Sequence, residues 1–413
     1  MKRIFSSKRY RLPAKVSAFL VIAALIAGMV GCDGGDLEYQ LTITSTGGGN
    51  VTEPGEGIFI YTEGAAVSLV AEAEGGYGFA KWTGDVETIT DASAAATTII
   101  MNGNYSVTAN FGEITELRDW HDLDAIRDNP DGLYFLMNDL DSSTPGYEEL
   151  ASPAANGGKG WRPIGTMTDR FTGAFDGQGH QIRDLYIDRP DERPVGLFGW
   201  DSGVVRDTGV VNASVIGAGG VGGLAGFNAG TVSHCYFTGN VTGTEPTNSV
   251  GGLLGSSQGN VIVSYSTGSV SGHLSVGGLL GAQYTGGVVT ACYSTSMVAG
   301  ARGVGGLVGM VQWSAVRDSY STGGVIGEQY VGGLLGSSQE STVDQCFWDI
   351  DTSWQTASAG GTGKTTVEMK NMATFSDAGW DIIAVGGSDQ RNPTYSWNIV
   401  DDVTYPFLSW ESV

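Results

Sequence analysis

The chain has 413 residues, with 44 acidic against 21 basic side chains, a formal charge of −23 and 66 glycines. That much glycine with only 16% charged residues excludes a mainly helical fold, and the length excludes one ordinary core, leaving several domains or a repeat array. A surface this acidic repels nucleic acid and anionic lipid, so neither is expected as a partner.

The first fifteen residues hold six basic side chains (Lys2, Arg3, Lys8, Arg9, Arg11, Lys15) and no acid, and an apolar run from Val16 to Val30 follows. Fifteen apolar residues fall short of the ~20 that cross the hydrocarbon core, so residues 1–31 read as a cleaved signal peptide. Met29-Val30-Gly31-Cys32 resembles the lipobox of bacterial lipoproteins, with methionine where leucine is usual. The resemblance implies that Cys32 is acylated, becomes the new N-terminus and anchors an exported protein to the cell envelope, at the cell surface or the periplasmic face. Asp33 behind it resembles the inner-membrane retention signal of enteric bacteria. Losing residues 1–31 takes six positive charges from −23 and leaves −29.

Residues 32–36 form a polar tether, and residues 37–112 read as a small all-β domain of alternating strands, Leu41-Thr42-Ile43-Thr44 among them. Asn102-Gly103, between Thr98–Met101 and Tyr105–Phe111, predicts a hairpin with a type I′ turn. "GGYGFAKWTGD" (Gly75 to Asp85) and "NYSVTANF" (Asn104 to Phe111) resemble the divergent internalin-B-type bacterial repeat, a small β domain used as a spacer or adhesion unit. It implies extracytoplasmic display.

From Ile114 to Asn129, apolar residues every third position (Leu117, Trp120, Leu123, Ile126) predict a helix, stopped by Asn129-Pro130-Asp131-Gly132. A strand follows from Leu133 to Asp141. Helix then strand would close the open end of a solenoid, so residues 113–194 are assigned to an N-terminal cap and first coil.

Residues 195–346 are repetitive. "VGLFG" at Val195 is followed by "VGGLAG" at Val221, "VGGLLG" at Val250 and Val276, "VGGLVG" at Val304 and "VGGLLG" at Val331, with intervals of 26, 29, 26, 28 and 27 residues. A fixed period of 20–50 residues marks a solenoid, and six copies predict about six coils. A second landmark recurs in step: a valine (Val232, Val261, Val289, Val316, Val343), then an alternation of Cys235, Ser264, Cys292, Ser319 and Cys346, then an aromatic. Coils ~4.8 Å apart place each side chain over its counterpart, which selects glycine, small and β-branched residues and disfavours like charges. Two cysteines separated by two coils lie ~9.6 Å apart, beyond disulfide reach, so three separate thiols are expected. Arg317 and Asp344 share one position in successive coils and should form a surface pair.

These units match the GLUG motif of bacterial surface proteins, found also beside the catalytic domain of some IgA-cleaving metallopeptidases. "FTGAFDGQGHQIRDLYI" (Phe171 to Ile187) resembles the coil that precedes the first copy; "FWDIDTSWQT", "GWDIIAV" and "YPFLSW" resemble the C-terminal segment, here a cap over residues 347–413. The resemblance implies an all-β right-handed parallel β-helix used in adhesion, with no catalytic residue defined.

Candidate chemistry is sparse. "SAGGTGKT" (Ser358 to Thr365) ends like a phosphate-binding loop, but Ser358 replaces its first glycine and no strand–loop–helix unit surrounds it, so no nucleotide is expected. His121, His180, His234 and His273 are scattered, no HExxH exists, and no metal or other cofactor is implied. A carbohydrate-active β-helix would need two or three carboxylates on one face. Asp318 and Asp344 fall at positions of opposite parity, and Asp176 with His180 is as well explained by a turn. The column Tyr236, Tyr265, Tyr293, Tyr320, Phe347 reads first as an interior aromatic ladder and second as a stacking surface for sugar rings. The expected function is therefore a non-catalytic envelope lipoprotein that binds a glycan or protein partner, with a β-helical polysaccharide lyase or hydrolase as the alternative.

Overall fold

The structure is a computed structural model that describes residues 37–244 and 249–411; Cys32 and the signal segment lie outside the described residues. The alternation in the N-terminal part folds into two facing sheets. One orders the strands Gly57–Thr62, Glu38–Ser45, Tyr105–Leu117 and Tyr77–Gly84; the other orders Gly49–Glu53, Ala66–Ala73 and Ala96–Ile100. Leu41, Ile43, Leu69, Trp82, Ile99 and Val107 are buried between them. The Asn102-Gly103 hairpin does not form, because Ala96–Ile100 pairs in one sheet and Tyr105–Leu117 in the other. The turn carries the chain across the core.

The strand Tyr105–Leu117 leaves the small domain and becomes the first rung of the solenoid. Its first part pairs with Glu38–Ser45, and Ile114–Leu117 pairs with Leu133–Leu136. The helix is accordingly shorter than the spacing predicts, running over Trp120–Ala125 with a 3₁₀ turn at Ile126–Asp128. Asp119 starts it by accepting hydrogen bonds from the His121 and Asp122 amides at 2.9 and 3.0 Å. Leu117, Trp120, Leu123 and Ile126 are all buried, so the triplet spacing marks a core face shared by a strand end and a helix.

All six motif copies stack in register. Val195, Val221, Val250, Val276, Val304 and Val331 pair in one continuous column. In the five full copies the first glycine sits where a Cβ would strike the carbonyl of the motif's own fifth residue, as Gly251 against Leu254. The second clears space for an inward side chain from the opposite wall, Phe237 over Gly223 and Trp348 over Gly333. A corner column of Asp201, Asn228, Ser257 and Gln283 is wholly buried. Its first three members each accept a hydrogen bond from the amide two residues on, at Gly203, Gly230 and Gly259.

Phe171–Ile187 forms a coil, its strands pairing with Val204–Arg206, Gly209–Val211 and Ser214–Gly217. Cys235, Cys292 and Cys346 are free and buried, and the intervening serines bond the chain above: Ser264 Oγ accepts from the Cys235 amide at 3.1 Å and Ser319 Oγ from Cys292 at 3.0 Å. Arg317 and Asp344 are register partners with Nε and Oδ2 3.8 Å apart. Being exposed, this pair contributes ~0–1 kcal/mol.

The seam between small domain and solenoid is held by Arg206. Its guanidinium, almost fully buried, meets Asp176 at 2.7 Å and donates to the carbonyls of Ala80 (3.0 Å), Ser93 (2.6 Å) and Phe79 (2.6 Å). Ser93 and Ser233 hydroxyls meet beside it at 2.8 Å.

Arg206→Ala should lower unfolding stability by ~3–5 kcal/mol, since it strands Asp176 in the seam and frees three carbonyls; denaturant midpoints with intrinsic fluorescence would read this. Thiol titration of a protein beginning after Cys32 should count no reactive thiol when folded and three when denatured without reductant.

Candidate functional site

Between the valine and aromatic columns each coil turns through one left-handed residue: His234, Val263, Ala291, Asp318 and Gln345 have φ of 50, 49, 51, 47 and 53°. That corner resets the alternation. Val232, Cys235 and Phe237 all face the interior, and Tyr236 stands on the outer face. Tyr236, Tyr265, Tyr293 and Tyr320 stack at centroid spacings of 4.9, 4.9 and 5.1 Å, nearly parallel, and Phe347 continues the register. The column is therefore not an interior ladder.

Nor is it open. The C-terminal segment folds back along this flank and packs Phe375, Trp380, Trp397, Tyr405 and Trp410 on it. Trp397 lies 5.7 Å from Tyr320, Phe375 lies 5.4 Å from Phe347, and Trp410 lies 5.8 Å from Tyr265. Polar tips anchor the cover: the Tyr320 hydroxyl donates to the Pro406 carbonyl at 2.5 Å, Tyr405 to Asp349 at 2.6 Å, and Trp410 Nε1 to the Val263 carbonyl at 3.2 Å. Tyr293, Tyr320 and Phe347 are buried, and Tyr236 and Tyr265 half-buried. Burial holds the Tyr293 and Tyr320 hydroxyls well above the usual tyrosine range.

Other sequence candidates do not converge. Asp176 serves Arg206, while His180 reaches Asp139 at 3.2 Å; His121 meets Glu149 at 2.9 Å, and His234 faces Trp410. In the glycine-rich "SAGGTGKT" segment, Thr362–Lys364 is a strand paired with Phe347–Asp349, and Thr365 caps a single helical turn through a capping box with Glu368. At the seam, Asp91, Asp176 and Asp207 line a cavity of about 210 Å³ with Arg206 and His234. Asp91 is bonded to Ser93 at 2.5 Å and Asp176 to Arg206, so two of the three carboxylates are spent on the domain junction. Burial raises Asp207 above the ordinary carboxylate range.

Among the exposed aromatics, which include Tyr330 and Trp354, Trp313 stands beside a trough, and no sequence pattern singled it out. The corners differ in length between register positions: the first three place two residues, as Gln258-Gly259 between Ser257 and Asn260, the fourth places four between Gln283 and Val288, and the fifth places three, Gln312-Trp313-Ser314 between Val311 and Ala315, as does the sixth between Ser338 and Thr342. The fifth corner projects Trp313, at φ 49° and 48% exposed, beside a shallow trough of about 390 Å³ lined by Gly286, Gly287, Ser314, Ala315, Glu340 and Thr342.

Comparison with known proteins places two modules on the chain. Residues 39–115 match the divergent InlB B-repeat domain and residues 217–242 match the GLUG motif. Halomucin of Haloquadratum walsbyi is 35% identical over 205 residues, 48% of this chain and 2% of halomucin. A protein of Evansella cellulosilytica named as a candidate Gly-rich membrane protein is 33% identical over 110 residues, 25% of this chain and 12% of that protein. The chain thus spans a small part of both relatives. A solved Bacteroides ovatus structure, named as a candidate immunoglobulin A1 protease, is 19% identical with a TM-score of 0.52, over 73% of this chain and 93% of that one. That likeness is one of fold.

Glu411 gives the aromatic cover a pH dependence. Burial pushes its carboxyl up to about 7, against the opposing hydrogen bonds of the Leu408 amide and Tyr293 and the charge of Arg391. A raised carboxyl leaves stability intact below the unfolded value near 4.5 and removes it as pH rises through about 7. We expect the cover to lose roughly 1–3 kcal/mol between pH 5 and 8, read as faster proteolysis of the C-terminal segment. Asp201, which burial also pushes up to about 7, lies in a different column, so Glu411→Gln should abolish the proteolytic trend while leaving global melting partly pH-dependent.

Proposed function

We propose that this chain is a non-catalytic cell-envelope module, anchored through Cys32, that holds a glycan against the open flank of its solenoid. Trp313 carries the reading: an indole half-exposed at a coil corner, over a trough of small and polar residues, offers the flat apolar face and nearby hydroxyls that a sugar ring stacks on. The lipobox-like segment, the divergent InlB B-repeat domain and the similarity to halomucin and to a Gly-rich membrane protein support an envelope location. A hydrolase or lyase would need carboxylates facing each other across an open groove. The acids that cluster here tie two domains together, and that second reading gains no observation of its own.

A glycan array probed with the full chain should return a defined set of neutral or mixed glycans, and Trp313→Ala should weaken the best of them by about tenfold, ~1.4 kcal/mol. Equal binding by the variant, with unchanged melting temperature, would remove the trough as the site.

A further inference from the structure

A second cleft lies at the N-terminal end of the solenoid, and in an acidic molecule its lining carries more cations than anions, three arginines against Asp169 and Glu192. Six of the 21 basic residues sit in the first fifteen positions; of the other fifteen, three arginines (Arg127, Arg162, Arg193) line this one cavity of about 340 Å³. That volume lies at the lower end of small-molecule sites, ~300–1,000 Å³. Pro130, Pro163, Ile164 and Pro194 give it apolar walls.

The arginines have different duties. Arg127 is nearly buried, with its guanidinium 5.0 Å from the Trp161 ring; it bonds Asp124 at 2.6 Å and the Pro163 carbonyl at 2.7 Å, and also holds the Arg162 carbonyl. It braces the main chain that carries Arg162. Burial weakens its hold on its proton, against the hydrogen bond and charge of Asp124, and the nearby Arg162 and Arg189 charges add to the same direction. On the facing wall, burial works against Glu192 but Lys159 and Arg189, each 3.0 Å away, keep its carboxyl below the ordinary range and spend its charge. Arg162 itself is exposed and forms no ion pair among the described residues.

We propose that this cleft binds an acidic sugar, its carboxylate taken by the Arg162 guanidinium and its ring lying between the proline walls. A planar guanidinium matches a carboxylate in two parallel hydrogen bonds, which a lysine ammonium does not reproduce. Thr166 and Asp169, on the same lining, are placed to meet ring hydroxyls. The site is separate from the Trp313 trough and stands or falls independently of it.

The test is calorimetry of the full chain with a galacturonic acid trimer, a neutral galactose trimer and sodium sulfate, repeated on Arg162→Ala, Arg162→Lys and Trp313→Ala. The acidic trimer should bind, the neutral trimer and sulfate should bind at least tenfold more weakly, both Arg162 variants should lose at least tenfold, and Trp313→Ala should bind as the parent does. No binding of the acidic trimer, equal binding of the neutral trimer or of sulfate, or full affinity in Arg162→Lys would each overturn the assignment. Loss in Trp313→Ala alone would move acidic-sugar binding to the trough. Arg162→Lys, which keeps the charge and the aliphatic stem, decides the matter if Arg162→Ala fails to fold.

Discussion

Stacking of each coil on a near-copy of itself governs this molecule. With rungs ~4.8 Å apart, a side chain's nearest neighbour is its own counterpart, so every position must tolerate itself. Valine, leucine and serine do so, and the inward columns are built from them; charge does not, and where charged residues share a register position the signs alternate, as at Arg317 and Asp344. The wholly buried polar corner of Asp201, Asn228, Ser257 and Gln283 persists because three of its members bond the backbone of their own turn, leaving little for the next coil to repel.

The same stacking creates a problem on the outer face. A column of four tyrosines and a phenylalanine is a continuous apolar stripe, and the C-terminal segment covers it with five aromatic rings. Hydrogen bonds from Tyr320, Tyr405 and Trp410 satisfy three of the polar tips that burial would otherwise strand, while Trp397 Nε1 is buried without a partner. The tail is thus bound along the length of the repeats as well as at their end, through contacts between residues more than 80 positions apart in sequence.

Much of this was legible in the sequence because repetition converts it into a register. The positions of Val195 through Val331, the pairing of Arg317 with Asp344 and the separate thiols all follow from counting within one coil. The facing of the tyrosines does not, since a single left-handed residue between two strands breaks the alternation on which inside and outside are judged. The helix at Trp120 was legible in its buried face but not its start, because Ile114–Leu117 finds a strand partner that periodicity cannot reveal. Neither candidate site was legible. Trp313 sits at a corner whose length varies from coil to coil, outside the register that repetition fixes, and the arginine cleft gathers Arg127, Arg162 and Arg193 from separate turns.

The alternation of cysteine and serine along one inward column bears on how such an array can lengthen. Duplicating a single cysteine-bearing coil would set a cysteine directly above another at ~4.8 Å, inside the Cα range that a disulfide spans, whereas duplicating two coils together would preserve the serine between them. In an oxidising compartment the first event staples neighbouring rungs and fixes their spacing, while the second leaves every thiol solitary. The natural unit of growth for this solenoid is then a pair of coils, a periodicity of roughly 54 residues, twice the one that the motif itself displays.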